Sequence, residues 1–244
     1  MSQLITSRGC FVAGTDTEVG KTLVSAALVY LLGTPGYRSA GFKPVAAGVV
    51  DVNGLSVNED VQTLRAASSI VLSDDDVGPC QLRTACAPHI AGAIEGKLID
   101  RQQLLQAATA LAARTDWLVV EGVGGFCVPL GNGWTSADLA VDLDLPVLLV
   151  VGMRLGCLNH AILTAQAVRA SGLRLAGWIA NGIDPAMAHV EENLATLRHW
   201  LSPAPCLGVI PRLANALAAT AATYLNLAAI QAALESPHLA SESQ

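Results

Sequence analysis

The chain has 244 residues, of which 52% are hydrophobic and 14% charged, and its formal net charge is −6 at pH 7. This charge argues against a nucleic-acid partner, which would require a basic face. No apolar run approaches the roughly 18 residues that span a bilayer, so the apolar residues indicate large buried surfaces rather than a membrane segment.

The domain organisation and location follow from the same survey. No break in composition divides the chain, so we expect a single domain over residues 1–244 with a polar tail at about 235–244. Residues 1–8 lack the apolar core and the cleavage site of a secretory signal, and we expect a cytoplasmic protein.

The first motif is a glycine loop at residues 14–22, GTDTEVGKT, between an apolar run at 10–13 and a helical segment from 23 onward. A strand, a loop and a helix start in this order direct backbone N–H groups to one point, which suits a triphosphate. Lys21 adds a positive charge, and Thr22 offers a hydroxyl for Mg²⁺. Five residues separate Gly14 from Gly20 where the usual pattern has four, so this is a lengthened phosphate-binding loop.

Further apolar runs of strand length alternate with helical patterns. Because the runs are continuous rather than alternating, they predict strands buried on both faces. We predict an α/β fold of the P-loop NTPase type, with a doubly wound, mostly parallel sheet between two layers of helices. Ligands then bind beyond the carboxyl ends of the strands. The predicted strands are 10–13, Ser39–Phe42, 117–120, 146–151, 175–180 and Cys206–Ile210, and the clearest helices are 101–113 and 159–170.

Charged residues follow two of these strands directly. Glu121 comes after 117–120 and places a carboxylate where Mg²⁺ binds, although a glutamate facing solvent in a turn is the alternative. Lys43 comes after Ser39–Phe42 and suits a transferring phosphate, although a solvated lysine is equally common. Asp60 is a weak candidate by itself, and the acidic run at 74–76 is interpreted as a solvated loop.

The six cysteines show neither a Cys-x-x-Cys pair nor zinc-like spacing with the five histidines, so we expect free thiols. His89 is assigned a packing role.

Five motifs taken together resemble the dethiobiotin synthetase family, and their order and spacing cover residues 10 to about 225. They are GTDTEVGKT at 14–22, GFKPV at 41–45, VEGVGG at 120–125, GCLNH at 156–160 and AGWIAN at 176–181. The resemblance implies an ATP- and Mg²⁺-dependent cyclo-ligase of biotin biosynthesis. In this family 7,8-diaminononanoate takes up CO₂ as a carbamate, the carbamate attacks the γ-phosphate of ATP, and the second amine closes the ureido ring.

The resemblance also implies roles for individual residues. Lys43, Lys21 and Thr17 are expected to be catalytic, and Thr22, Asp60 and Glu121 to surround Mg²⁺. The expected ATP-binding residues are Glu18, Val19, Gly20, Lys21, Thr22, Leu23, Asp60, Glu121, Gly122, Val123, Gly124, Asn181, Gly182, Pro211, Arg212 and Leu213. Asn181 would contact the base, and the segment 181–184 also resembles a guanine-reading motif without its lysine, so ATP is favoured over GTP.

The substrate site implied by the resemblance is shared by two subunits. Its expected residues are Thr17, Lys43, Ala47, Gly156, Cys157, Leu158 and Asn159. Residues 156–159 would hold the substrate carboxylate of the neighbouring subunit, which requires a homodimer; the alternative is that Asn159 only caps a helix. Ala47 and Ala87 replace serines found in the family, and a lost hydroxyl bond would weaken substrate binding by about 0.5–1.5 kcal/mol.

Two other functions remain open from the sequence. A regulatory or partitioning P-loop ATPase would act as a nucleotide-switched binding protein, but its loop usually carries a lysine where this chain has Asp16. A glutaminase-linked amide synthase would need a further domain with a nucleophilic cysteine, for which 244 residues leave little room.

Overall fold

The computed structural model describes residues 7–236. In chain order the strands are β1 Arg8–Gly14, β2 Ser39–Phe42, β3 Val45–Ala47, β4 Val50–Val52, β5 Leu55–Val57, β6 Cys80–Leu82, β7 Trp117–Glu121, β8 Pro129–Gly131, β9 Trp134–Thr135, β10 Val147–Met153, β11 Leu175–Gly182 and β12 Cys206–Ile210. The helices are α1 Lys21–Gly33, α2 Glu59–Ala67, α3 Asp74–Val77, α4 Pro88–Glu95, α5 Arg101–Ala112, α6 Ser136–Leu143, α7 Cys157–Ala170, α8 Val190–Trp200, α9 Ala218–Ala222 and α10 Leu227–Glu235.

The centre of the fold is a parallel sheet in the order β12-β11-β10-β1-β7-β2. One face packs Phe11, Leu118 and Leu149 against residues of α5, α6, α7 and α8. The other packs Val12 and Val150 against residues of α1, α9 and α10. Because both faces are covered, the strands are apolar throughout, and the predicted doubly wound α/β fold is confirmed.

The main elements agree with the sequence prediction, and α7 begins two residues before the predicted helix at 159. The short pairs β3–β6, β4–β5 and β8–β9 have no counterpart in that prediction. The expectation of a solvated loop at 74–76 is wrong. Ser73 caps α3 there, Asp74 pairs with Arg65, and Asp76 pairs with Arg114. Of the expected polar tail, 237–244 lies outside the described residues.

Between residues 7 and 236, no helix combines the length and apolar character needed to cross a bilayer.

The sheet gathers the predicted site residues at one edge. The six parallel strands all point the same way, so their carboxyl ends and the segments that follow them lie together. The phosphate loop follows β1, Lys43 follows β2, and Glu121 ends β7. The segment expected to bind the substrate carboxylate follows β10, and the residues expected at the base end β11 and follow β12.

Ser136, the first residue of α6, supports the glycine loop that follows β7. Its buried hydroxyl donates to the Phe126 carbonyl at 2.5 Å and accepts the Val128 N–H at 2.9 Å. The Ser136 N–H donates to the Val128 carbonyl at 2.8 Å. One side chain thus satisfies two backbone groups of the loop, which fixes the path of the chain beyond Glu121.

We expect Ser136→Ala to lower the free energy of unfolding by about 1–3 kcal/mol, because the buried Phe126 carbonyl and the half-buried Val128 N–H lose their partner. Urea unfolding measures this loss. Ser56→Ala is the matched control, since its hydroxyl is exposed and bonds Asp51 at the surface. Equal stability of the two variants would show that Ser136 does not support the loop.

Candidate active site

The phosphate loop ends in a helix start with free N–H groups. Gly20 is the N-cap of α1 with φ 85°, and its carbonyl accepts the Val24 N–H at 3.1 Å. The N–H groups of Lys21, Thr22 and Leu23 therefore have no acceptor within the helix. Together with the positive end of the helix dipole they suit a phosphate group. Glu18, earlier in the loop, also has a positive φ, 59°.

Asn181 braces this loop from the end of β11. Its buried amide Nδ2 donates to the Val19 carbonyl at 2.9 Å. A Cβ at Gly20 would lie 2.1 Å from the same Nδ2, so the close approach requires glycine. From the sequence Asn181 is expected only at the base; this brace joins residues 162 positions apart and leaves no local signal.

The ends of β11 and β12 meet beside Asn181. A Cβ at Gly182 would lie 2.9 Å from the Arg212 backbone nitrogen. The Arg212 Nη1 donates to the Ile183 carbonyl at 2.6 Å, and Leu213 is partly buried against the core. The predicted base-binding residues, including Pro211, are therefore adjacent, and their role stays a prediction.

Lys21 lies buried at the base of the loop. Its Nζ donates to the Asp16 carbonyl at 3.0 Å. Burial, followed by the charge of Lys43, lowers the pKa of Lys21 to about 8. A bound phosphate would raise this pKa again, because a nearby negative charge favours the protonated amine.

A second cationic side chain, Lys43, lies between two carboxylates. Its Nζ is 2.6 Å from Glu121 Oε1 and 2.9 Å from Asp60 Oδ2, and it also donates to the Gly122 carbonyl at 3.3 Å. Lys43 is 3% exposed and Glu121 is 1% exposed, so the alternatives of a solvated lysine and a solvent-facing glutamate are wrong. Burial opposes the charge of Lys43, but Glu121 and Asp60 outweigh it and raise the pKa of Lys43.

Asp60 is held in its charged form by the same contacts. Burial acts to raise the pKa of Asp60, whereas Lys43 and the Thr22 hydroxyl lower it, and the net pKa lies below the ordinary value. Asp60 lies in the first turn of α2, whose N-cap is Asn58. Asn58 Nδ2 donates to the Ala47 carbonyl at 3.2 Å, which ties this helix to the strand after Lys43.

Thr22 brings the two carboxylates together. Its Oγ1 is 2.7 Å from Asp60 Oδ1 and 2.8 Å from Glu121 Oε1. The single Thr22 hydroxyl hydrogen can be donated to only one of these two carboxylate oxygens. The Thr22 oxygen therefore lies close to the other carboxylate oxygen with no hydrogen between them. The buried Glu121 Oε2 has no hydrogen-bond partner in the described part of the chain.

This oxygen arrangement fits Mg²⁺. Carboxylate and hydroxyl oxygens are the hard ligands that Mg²⁺ prefers. A cation beside them would relieve the repulsion between the Thr22 oxygen and the carboxylate oxygen that receives no hydrogen. Within residues 7–236 no three acidic, histidine or cysteine side chains form a metal cluster. Two carboxylates and a hydroxyl therefore suit an ion that takes its other ligands from phosphate and water.

The loop after β7 lies over the phosphate loop. Gly122 N–H donates to the Val12 carbonyl at 3.0 Å, and Gly124 has φ 60°. A Cβ at Gly124 would lie 3.6 Å from Thr17 Oγ1, so Thr17 faces this loop. Val123, between them, packs partly buried against the core.

The segment predicted to bind a substrate carboxylate forms the start of α7. Gly156 is the N-cap with φ 95°, and the N–H groups of Leu158 and Asn159 have no acceptor within the helix. Asn159 lies in the first turn, so the alternative that it caps the helix is wrong. Cys157 is buried, and its N–H donates to the Arg154 carbonyl at 3.0 Å.

Sequence reasoning missed Arg154, which pairs with Asp16 of the phosphate loop at 2.5 Å. Arg154 directly follows β10, the same signal that identified Lys43, and Asp16 lies two residues beyond the end of β1. His89, by contrast, is half-buried with Nδ1 3.2 Å from the Pro129 carbonyl. Its packing role stays a prediction.

Comparisons with known proteins agree with this geometry. A family model described as an AAA domain matches residues 8–220. The ATP-dependent dethiobiotin synthetase BioD of Aromatoleum aromaticum is 52% identical over 220 residues, which cover 90% of this chain and 97% of that protein. The proteins of the same name from Ralstonia nicotianae and Janthinobacterium sp. are 50% and 46% identical, over 91% of this chain and 97% and 95% of their own lengths.

Solved structures share the fold at low identity. The cell division ATPase MinD of Pyrococcus furiosus superposes with a TM-score of 0.58 at 16% identity, covering 94% of this chain and 99% of that chain. MinD of Aquifex aeolicus gives 0.53 at 17% identity, covering 96% and 100%. These likenesses establish the P-loop fold, whereas the relatives at 46–52% identity establish the family. The chain belongs to the dethiobiotin synthetase family of ATP-dependent enzymes.

Proposed function

We propose that this chain is a dethiobiotin synthetase of biotin biosynthesis, an ATP- and Mg²⁺-dependent cyclo-ligase acting on 7,8-diaminononanoate and CO₂. It would act in the cytoplasm as a homodimer of single-domain subunits. The observation that carries the proposal is the contact of Thr22 and Lys43 with both Asp60 and Glu121 beside a phosphate loop.

ATP would bind along the edge of the sheet. Its β- and γ-phosphates would accept hydrogen bonds from the free N–H groups of Lys21, Thr22 and Leu23 and from the ammonium of Lys21. Its base would lie at Asn181 and Gly182, with residues 211–213 closing over it. The adjacency of these strand ends supports this arrangement.

Thr22, Asp60 and Glu121 would hold Mg²⁺. When bound, the ion supplies positive charge to the phosphate oxygens and orients them. The residues of the chain keep the carboxylates in place: Lys43 bonds both of them, and Thr22 spans them from α1.

The reaction requires charge and position rather than a protein nucleophile. A carbamate oxygen attacks the γ-phosphorus and displaces ADP, which gives a carbamic-phosphoric anhydride. The second amine then attacks the carbamoyl carbon, loses a proton and displaces phosphate, which closes the ring. Lys43 and Lys21 would stabilise the charge on the transferred phosphoryl group, and Thr17 would face the carbamate.

The diamine site would be completed by a second subunit. The free N–H groups at the start of α7 suit the substrate carboxylate of the partner. Leu155, just before this helix, is 96% exposed, and Leu163 on the helix is 55% exposed. Apolar side chains exposed on this element support a contact between subunits.

A regulatory or partitioning ATPase is not favoured. Asp16 stands in the loop where that class usually carries a lysine. The likeness to MinD rests on 16–18% identity and concerns the fold alone.

We expect phosphate release from ATP to require the diamine, bicarbonate and Mg²⁺ together, because the γ-phosphate transfers to the carbamate rather than to water. A phosphate assay combined with mass detection of dethiobiotin measures this. Lys21→Ala is the control and should release little phosphate under all conditions. Phosphate release that is independent of the diamine would contradict the proposed ligase.

We expect Lys21→Ala and Asn159→Asp to complement each other when subunits are exchanged. Asn159→Asp places a negative charge beside the substrate carboxylate, and Lys21→Ala removes a cation from the ATP site of its own subunit. An equal mixture should recover about a quarter of the wild-type activity, because half of the dimers are mixed and each holds one native site.

A differently tagged subunit verifies the exchange in this experiment. A mixture that exchanges subunits but stays no more active than its two components would rule out the shared site.

A further inference from the structure

The Asp16 carboxylate connects the phosphate loop to another part of the chain. Its Oδ2 lies 2.5 Å from Arg154 Nη2, and its Oδ1 accepts the Thr17 N–H at 2.8 Å. The Asp16 backbone carbonyl accepts Lys21 Nζ at 3.0 Å. One residue thus contacts a predicted substrate residue, a predicted phosphate-binding lysine and an arginine 138 positions away.

Arg154 in turn lies in the turn before α7, three residues ahead of Cys157. It directly follows Met153, the last residue of β10, and its carbonyl accepts the Cys157 N–H across this turn. Strands β1 and β10 are parallel neighbours, with Gly14 opposite Val150, so Asp16 and Arg154 leave adjacent strands at the same edge. The ion pair therefore joins the two segments that follow these strands.

The charge of Asp16 is unfavourable in this loop unless it is neutralised. A carboxylate near a bound triphosphate repels it, and the chain carries this carboxylate within its phosphate-binding loop. Arg154 supplies the opposite charge. The pair is partly exposed, with 40% and 44% of the side chains accessible, so it contributes little to stability, and a functional role explains it better.

We propose that Asp16 and Arg154 are positioning residues that couple nucleotide binding to diamine binding. The inference rests on the proposed function, in which the start of α7 holds the substrate carboxylate of the partner subunit. Phosphates that order the loop fix the Asp16 carboxylate, and Asp16 fixes Arg154 and the turn before α7. Binding of either ligand therefore favours binding of the other, as linkage requires.

Calorimetry on the full chain tests the coupling. The dissociation constant of 7,8-diaminononanoate is measured with and without saturating Mg²⁺ and a non-hydrolysable ATP analogue. We expect the nucleotide to tighten diamine binding about fivefold or more in the wild-type protein. In Arg154→Met and in Asp16→Asn the ratio of the diamine dissociation constants without and with the analogue should fall to nearly one. The double variant should lose no more of this coupling than either single variant.

Nucleotide affinity separates the two single variants. Arg154→Met leaves the Asp16 charge unneutralised and should weaken binding of the analogue, whereas Asp16→Asn removes that charge and should not. Arg154→Lys keeps the positive charge and should retain part of the coupling. The matched control is Arg101→Met, which breaks the Arg101–Asp142 pair, also 2.5 Å long and partly exposed, on α5 and α6. In this control the nucleotide analogue should tighten diamine binding as much as in the wild-type protein.

Contrary results distinguish the two proposals. Two results would overturn the proposed coupling alone. One is that the nucleotide does not tighten diamine binding in the wild-type protein, and the other is full coupling in Arg154→Met. A wild-type protein that binds the analogue but never the diamine would overturn the proposed function, and the coupling with it.

Discussion

The candidate site depends on the buried ammonium of Lys43 between the carboxylates of Glu121 and Asp60. Removing the ammonium would leave the carboxylates without a counter-charge, and removing the carboxylates would leave the ammonium unpaired. A buried unpaired charge is costly in a protein interior. The three residues come from β7, α2 and the segment after β2, and Thr22 joins them from α1. The parallel sheet is what makes this meeting possible, because it brings the ends of β2 and β7 side by side.

The same cluster explains why the phosphate loop alone does not define the site. The loop offers N–H groups and Lys21, which suit any phosphate. The carboxylates add a place for a divalent cation, and Lys43 adds a charge that is held in position rather than free to move. An arrangement of this kind suits phosphoryl transfer, where catalysis depends on positioned charge.

Ala47 illustrates how the backbone contributes where the side chain does not. The missing serine hydroxyl at this position is expected to weaken substrate binding, and that stays a prediction. The structure adds a separate role: the Ala47 carbonyl accepts Asn58 Nδ2, and Asn58 caps the helix that carries Asp60. This contact requires no hydroxyl.

Much of the fold was predictable because continuous apolar runs and helical periodicity are local signals. Lys43 and Glu121 were found because both directly follow or end a buried strand. The contacts of Asn181 with Val19 and of Arg154 with Asp16 were missed, since they join residues far apart in sequence and leave no local pattern. The short strands β4 and β5 were missed because their residues do not form a continuous apolar run of strand length. The acids at 74–76 were misjudged because their arginine partners lie on other elements.

The most direct test concerns the cation site proposed at Thr22, Asp60 and Glu121. The dissociation constant of ADP is measured with Mg²⁺ and with EDTA in the wild-type protein and in Glu121→Gln, with Asp51→Asn as a control for an exposed carboxylate. The account predicts that removing Mg²⁺ weakens ADP binding in the wild type and in the control, and makes little difference in Glu121→Gln. An equal Mg²⁺ dependence in all three proteins would contradict it.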